Sequence, residues 1–376
     1  MSIDSELKKE GIEIISKLDT LKVNTICTNI ASKLCLAFPE HNLNRSALFA
    51  SLCRIDMYIA NMQDHDSACA KYFYKNNSIY FSEDSDLNTM ASIALHECIH
   101  HIQEILNSNG ELVKMGLYNR SSNFGLALNE AAVQLMASEA NMLDEAQEVY
   151  FNISLKTTSP DYYPLECALV SEMAYFTGTY PLYNSTLNSN NVFQNTFVAK
   201  SDKKTYYTIA KNLDKLLQYE NDLSYYSSEL KYADKVSSIK VLNSLITTKK
   251  KNIENLFFKT QNLIIKKCFI SEFNSIRNLE DIKLFNKKFY DFKDIMGYSD
   301  DYTYYNEFYR YIMEEINKKK EYIKAYGEIN LFEPETTKAL VLVDNSKSAL
   351  AFAQKFIVKL KKLFGLNKDK VDINDF

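Results

Sequence analysis

The chain has 376 residues with 44 Lys+Arg and 48 Asp+Glu, a formal net charge of −4, and 46% apolar residues. That apolar share can bury a core and excludes a disordered chain, and a charge so near neutral excludes a general nucleic-acid binder. Only 8 Gly and 5 Pro occur, and no Gly-rich phosphate loop is among them, which excludes Rossmann and P-loop nucleotide binding.

In chain order, the pattern predicts helices near 3–18, 23–37 and 43–62, stopped by Pro39 and by polar turns. The signal then changes. Lys71–Lys75 and Ser78–Ser82 are short aromatic runs around Asn76-Asn77, which predicts a β-hairpin, the one convincing strand pair in the sequence. Asp84-Ser85-Asp86 offers N-cap chemistry, and Leu87–Leu106 follows as an amphipathic helix. Residues 107–123 read as a polar loop, 125–141 as a helix, and 164–177 as another introduced by Pro160 and Pro164.

Between Gly178 and Gly297 there is no Gly, and Pro181 is the last Pro before Pro334. A stretch so poor in breakers predicts long helices. Residues 346–364 form a basic amphipathic pattern, expected to dock on the body, with contact to an anionic membrane surface as the second option. Residues 299–311 are strongly aromatic and are expected to pack Tyr302, Tyr305, Phe308 and Tyr309 at helical spacing. The runs Lys249–Lys251 and Lys318–Lys320 are expected to be solvated faces.

Charge divides the chain. Residues 1–200 hold 13 basic and 23 acidic residues, a net of −10, and residues 201–376 hold 31 and 25, a net of +6. All five His precede residue 102. The expected organisation is a mixed catalytic domain over 1–200 and a helical accessory domain over 201–376, mainly α with a small antiparallel sheet. Seven widely spaced Cys without a CxxC point to reduced thiols, not to a Cys zinc site. No secretory leader and no run of about 18 apolar residues is seen, so a soluble cytoplasmic protein is expected.

The chemical signal is His96-Glu97-Cys98-Ile99-His100. On a helix, i and i+4 share a face, so two imidazoles can converge on one Zn²⁺, with Glu97 placed to act on a water beside it. Three of the five His fall within the six residues 96–101. A third ligand is needed and no His follows residue 101, so it must be a carboxylate. Glu130, among Leu126, Leu128, Ala131, Ala132 and Val133, is the leading choice, because an unpaired carboxylate in such a setting is costly and a metal satisfies it. Glu139 and Glu104 are its competitors. His101 lies at the edge of the metal face, His65 reads as part of a polar loop end, and Cys98 reads as core filler.

The hairpin, the His96–His100 helix and Asn129-Glu130 together resemble the zincin metallopeptidases, and the gluzincins among them, over about residues 70–180. The resemblance implies a zincin-like fold and a zinc metallopeptidase acting on a peptide or protein substrate. It implies Zn²⁺ on His96, His100 and Glu130, Glu97 as general base, and a Tyr stabilising the oxyanion, for which Tyr118, Tyr163 and Tyr175 are open choices. The rival is a non-catalytic helical interaction protein with a structural or vestigial zinc site, in which Glu97 has no task.

Overall fold

The structure is a computed structural model that describes residues 3–62, 69–297 and 303–329. Two elements open the chain where the sequence pattern reads as one helix. Helix α1 (Ile3–Lys9) stops at Gly11, and Ile12–Lys17 forms strand β1. Helix α2 (Thr20–Ala37) is capped by Asp19, which accepts from Lys22 N at 2.9 Å. The expected helix over 43–62 is likewise corrected. Helix α3 (Arg45–Leu52) ends at Cys53, and Asp56–Met62 forms strand β2. Both errors have one cause. β1 and β2 pair antiparallel with each other, and that long-range ladder overrides the local pattern.

Strands β3 (Ala70–Phe73) and β4 (Ser78–Ser82) form the expected hairpin, with a 3₁₀ turn over Tyr74–Asn76 and Asn77 left-handed at φ 51°. The sheet order is β1-β2-β4-β3, with β2 and β4 parallel, so β3 is an outer edge. Ile79, Tyr80 and Phe81 on central β4 are fully buried. Helix α4 (Leu87–Gln103) packs against β3 and β4, its start capped by Asp86 accepting from Thr89 N at 2.9 Å.

The expected helix over 87–106 ends at Gln103, and its last three residues form β5 (Glu104–Leu106), which pairs into a second, antiparallel sheet with β6 (Leu112–Met115) and β7 (Tyr118–Asn119) from the expected polar loop. Helix α5 (Leu126–Ala140) follows, buried on nearly every side, and then the antiparallel pair β8 (Ala146–Tyr150) and β9 (Ile153–Thr157). The hairpin β3–β4 is therefore not the one strand pair of the chain.

The rest of the described chain is helical: α6 (Pro164–Thr177), α7 (Thr179–Asn188), α8 (Val192–Lys200), α9 (Lys203–Tyr232), α10 (Val236–Ser275), α11 (Leu279–Ile295) and α12 (Thr303–Tyr326). The molecule is mainly α with small sheets. One hydrophobic cluster runs from Leu18 to Ile329 and crosses residue 200 without interruption. Phe176 of α6 meets Phe269 of α10 edge-on at 4.9 Å, for example. Tyr305 and Phe308 are buried against Phe289, as the aromatic spacing suggests, while Tyr309 is half-exposed. Lys319 departs from its expected solvated place: it is buried and donates to the Phe273 carbonyl at 2.7 Å. Among the described residues no helix is long and apolar enough to cross a membrane. His65, Tyr302 and the basic stretch 346–364 lie outside the described residues.

Candidate metal centre

Helices α4 and α5 face each other, and three side chains meet between them. His96 Nε2 lies 3.0 Å from His100 Nε2, and each is 3.3 Å from Glu130 Oε2. Ligand atoms held about 2.0–2.1 Å from a tetrahedral ion stand about 3.3–3.4 Å apart. The three atoms thus sit at the mutual spacing of three vertices around one cation, and this group could hold a metal ion. All three side chains are largely shielded from solvent.

Each imidazole is oriented from behind. His96 Nδ1 faces Gln134 Oε1 at 2.9 Å, and His100 Nδ1 faces Gln103 Oε1 at 3.2 Å. An amide oxygen accepts only, so both Nδ1 atoms carry a proton and both Nε2 atoms point into the cluster, free to offer a lone pair once no proton is held there. Gln134 Nε2 donates to Ser138 Oγ at 3.4 Å, and Gln103 and Asn129 exchange two amide bonds at 3.3 Å. Asn129 Oδ1 also accepts from Leu117 N at 2.9 Å. Gly116 makes this packing possible: at φ 55°, a Cβ there would lie 2.1 Å from Asn129 Oδ1 and 2.4 Å from Gln103 Nε2. Ser189 Oγ closes the support, accepting from Gly116 N and donating to Gln103 O.

None of these residues is given a supporting role by the sequence reading. Gln134 is Glu130 plus four and Gln103 is His100 plus three, so helical spacing carried a signal for both. Gly116 and Ser189 carried none, because they reach the site through tertiary folding.

Without a cation the cluster holds a proton. Burial opposes charge on His100, but the Glu130 carboxylate outweighs it and raises the imidazole to about 9. Burial likewise opposes ionisation of Glu130, and the two imidazoles override it, holding the carboxyl far below its ordinary range. A cation taking this place must displace that proton.

The competing carboxylates are engaged elsewhere. Glu139 is exposed on the far face of α5 and accepts from Tyr183 OH at 2.7 Å. Glu104 accepts from Tyr72 OH at 2.9 Å. His101 stands outside the cluster, its Nδ1 3.1 Å from Tyr72 OH and its Nε2 3.2 Å from Ser51 Oγ. Cys98 is fully buried on the core side of α4.

Glu97 also lies outside the ligand set. Its Oε2 accepts from Tyr72 N at 2.8 Å. Of the three tyrosines, Tyr163 reaches the centre. Its ring stacks on His96 at 6.1 Å and 23°. The Glu130 charge, with burial behind it, pushes the phenol well above its ordinary value, so the proton stays on. Tyr163 is left-handed at φ 52° immediately before Pro164, an uncommon conformation for a bulky residue. Tyr118 OH donates instead to Asn123 Oδ1 and Tyr175 OH to the Lys288 carbonyl.

Comparison of the chain with protein-family models, with curated proteins and with solved structures finds no match.

Proposed function

We propose that this chain is a zinc-dependent metallopeptidase of zincin-like, gluzincin type. The observation that carries the reading is the division of labour on α4 and α5. His96, His100 and Glu130 converge with their lone pairs, while Glu97, next in sequence to His96, is kept out of that set. A purely structural site has no use for such a carboxylate. The order of edge strand β3, helix α4 and ligand-bearing α5 supports the same reading.

The borderline N/O donor set suits Zn²⁺. A zinc ion on His96, His100 and Glu130 supplies Lewis acidity and a water of lowered pKa. Glu97 takes the proton of the attacking water and returns it to the leaving amine. Gln134 and Gln103 keep the imidazoles in the Nδ1–H tautomer. Tyr163, protonated and beside Glu130, donates to the oxyanion that forms on the scissile carbonyl. The substrate is a peptide or protein.

The test is metal analysis of the native protein together with hydrolysis of fluorescein-labelled casein by wild type and Glu97→Gln. The expected result is one zinc per chain in both and at least a hundredfold loss of hydrolysis in the variant. Zinc bound at stoichiometry with equal hydrolysis by both proteins overturns Glu97 as the base. Zinc bound with no hydrolysis of casein or of a random peptide library by wild type favours the structural site.

A further inference from the structure

We propose that Tyr72 is the positioning residue of the Glu97 carboxylate, holding it from the free edge of the sheet. This rests on the metallopeptidase reading above. It adds the residue that aims the base.

In an antiparallel pair, successive residues of a strand turn their backbone groups alternately toward and away from the partner. The Cys69 carbonyl faces β4 and accepts from Ser82 N at 3.0 Å, so Tyr72, three residues on, has its N–H on the outer side. An edge strand ordinarily leaves such a group to water or to another strand. Here it donates at 2.8 Å to Oε2 of Glu97, the carboxylate next in sequence to His96 and outside the candidate ligand set. A Glu side chain on a helix is otherwise free over several rotamers.

The Tyr72 side chain fastens the strand to the same helix stripe. Glu97, His101 and Glu104 follow one another at i, i+4 and i+7 along α4 and its exit. The Tyr72 hydroxyl donates to Glu104 Oε1 at 2.9 Å, with Asn77 Oδ1 at 3.2 Å as a second acceptor. Its oxygen lies 3.1 Å from His101 Nδ1, and the rings meet edge-on at 5.9 Å. Ser51 Oγ, at the end of α3, is 3.2 Å from His101 Nε2. One proton order satisfies the chain: Ser51 donates to Nε2, the Nδ1–H of neutral His101 donates to the phenol oxygen, and the phenol donates to Glu104. The phenol thus sets the distance between β3 and α4, and the backbone N–H uses that distance to aim Glu97.

The experiment uses the full chain loaded with Co²⁺ and acetohydroxamic acid as probe. A hydroxamate chelates a metal through its carbonyl and hydroxyl oxygens and passes its hydroxyl proton to a correctly placed carboxylate. Its affinity, read from the visible cobalt spectrum, therefore reports the aim of Glu97 without need of a substrate. Glu97→Gln sets the scale of the loss. Tyr72→Phe removes the phenol contacts, and Tyr72→Pro also removes the outward N–H, which an edge strand tolerates because no ladder bond is lost.

The expected result is unchanged Co²⁺ affinity, a roughly three- to tenfold weaker hydroxamate in Tyr72→Phe, and a loss in Tyr72→Pro approaching that of Glu97→Gln. Wild-type hydroxamate affinity in Tyr72→Phe, with only thermal stability reduced, overturns the proposal and leaves the metal reading standing. Failure of the wild-type protein to bind Co²⁺ overturns the metal reading, and the proposal with it. If Tyr72→Pro does not fold, Tyr72→Phe decides the matter by the same criterion.

Discussion

The Asp214 carboxylate caps the helix that carries Glu130: Gly125 N donates to its Oδ2 at 3.0 Å and Ala127 N to its Oδ1 at 2.9 Å. Gly125 has no side chain with which to cap α5 itself, and Asp214 arrives from α9, 89 residues later. A carboxylate at a helix N-terminus satisfies orphan N–H groups and meets the positive end of the dipole. Asp214→Ala is expected to cost about 1–2 kcal/mol of stability and to speed release of the bound metal to a chelator. Urea unfolding and a zinc-release time course measure the two effects. Release at the wild-type rate, despite the stability loss, means the cap does not reach the ligand.

The same contact bears on the division at residue 200. A fragment of residues 1–200 loses Asp214 and leaves Phe176 and Phe197 without their partners Phe269 and Tyr206. We expect such a fragment to bind metal weakly and to unfold without a sharp transition, in contrast to the full chain. Calorimetry and metal analysis of the fragment check this. A cooperative, fully metal-loaded fragment establishes 1–200 as a separable domain.

Glu130 and Glu139 are nine residues apart on α5, about two and a half turns, and so lie on opposite faces. Glu130→Gln is expected to reduce bound zinc by at least tenfold at limiting metal, and Glu139→Gln to leave it unchanged, since the amide oxygen still accepts from Tyr183 OH and only the acceptor's charge is lost. Elemental analysis after dialysis against a weak chelator gives the answer. The reverse pattern removes Glu130 from the ligand set.

Gly116 is required by space and by backbone angle together. At φ 55° a Cβ meets Asn129 Oδ1 at 2.1 Å, far inside contact distance. Gly116→Ala is expected to destabilise the protein by about 2–4 kcal/mol, and to weaken metal binding by moving Gln103 off His100. Thermal unfolding with and without zinc separates the two effects, since zinc protection shrinks only if the ligand set is disturbed.

Glu172 gives a pH prediction. It is fully buried on α6, its Oε1 accepts from Gln261 Nε2 at 2.6 Å, and its Oε2 has no hydrogen-bond partner among the described residues. Burial raises its pKa to about 8 against the Gln261 bond. The folded state therefore holds a proton that the unfolded chain gives up near 4.5. The sign follows: this group leaves stability highest at low pH, and stability declines as pH climbs from about 4.5 toward 8. Glu172→Gln is expected to be more stable than wild type at pH 8 by about 4 kcal/mol and to lie within about 1 kcal/mol of it near pH 5. Urea midpoints at the two pH values test it, and a parallel offset at both contradicts the assignment.

How much of this was legible in the sequence depended on range. The metal face was local: His96 and His100 share a face because the helix repeats every 3.6 residues, and Asp86 caps that helix within three residues. Helices α5 and α6 were legible for the same reason, close to the bounds the pattern predicts. Strands β1 and β2 were not, since their apolar residues suit a helix as well and only pairing across some 40 residues of chain makes them strands. The small sheet β5–β7 escaped in the same way, and with it the approach of Gly116 to Asn129. Which carboxylate joins the histidines depends on which face of α5 turns toward α4, and which of three tyrosines approaches depends on where the segment before Pro164 is laid down. Local periodicity and capping settle the first kind of question, because their energies act within one turn. The second kind is decided by packing between elements distant in sequence, which the tertiary structure alone brings together.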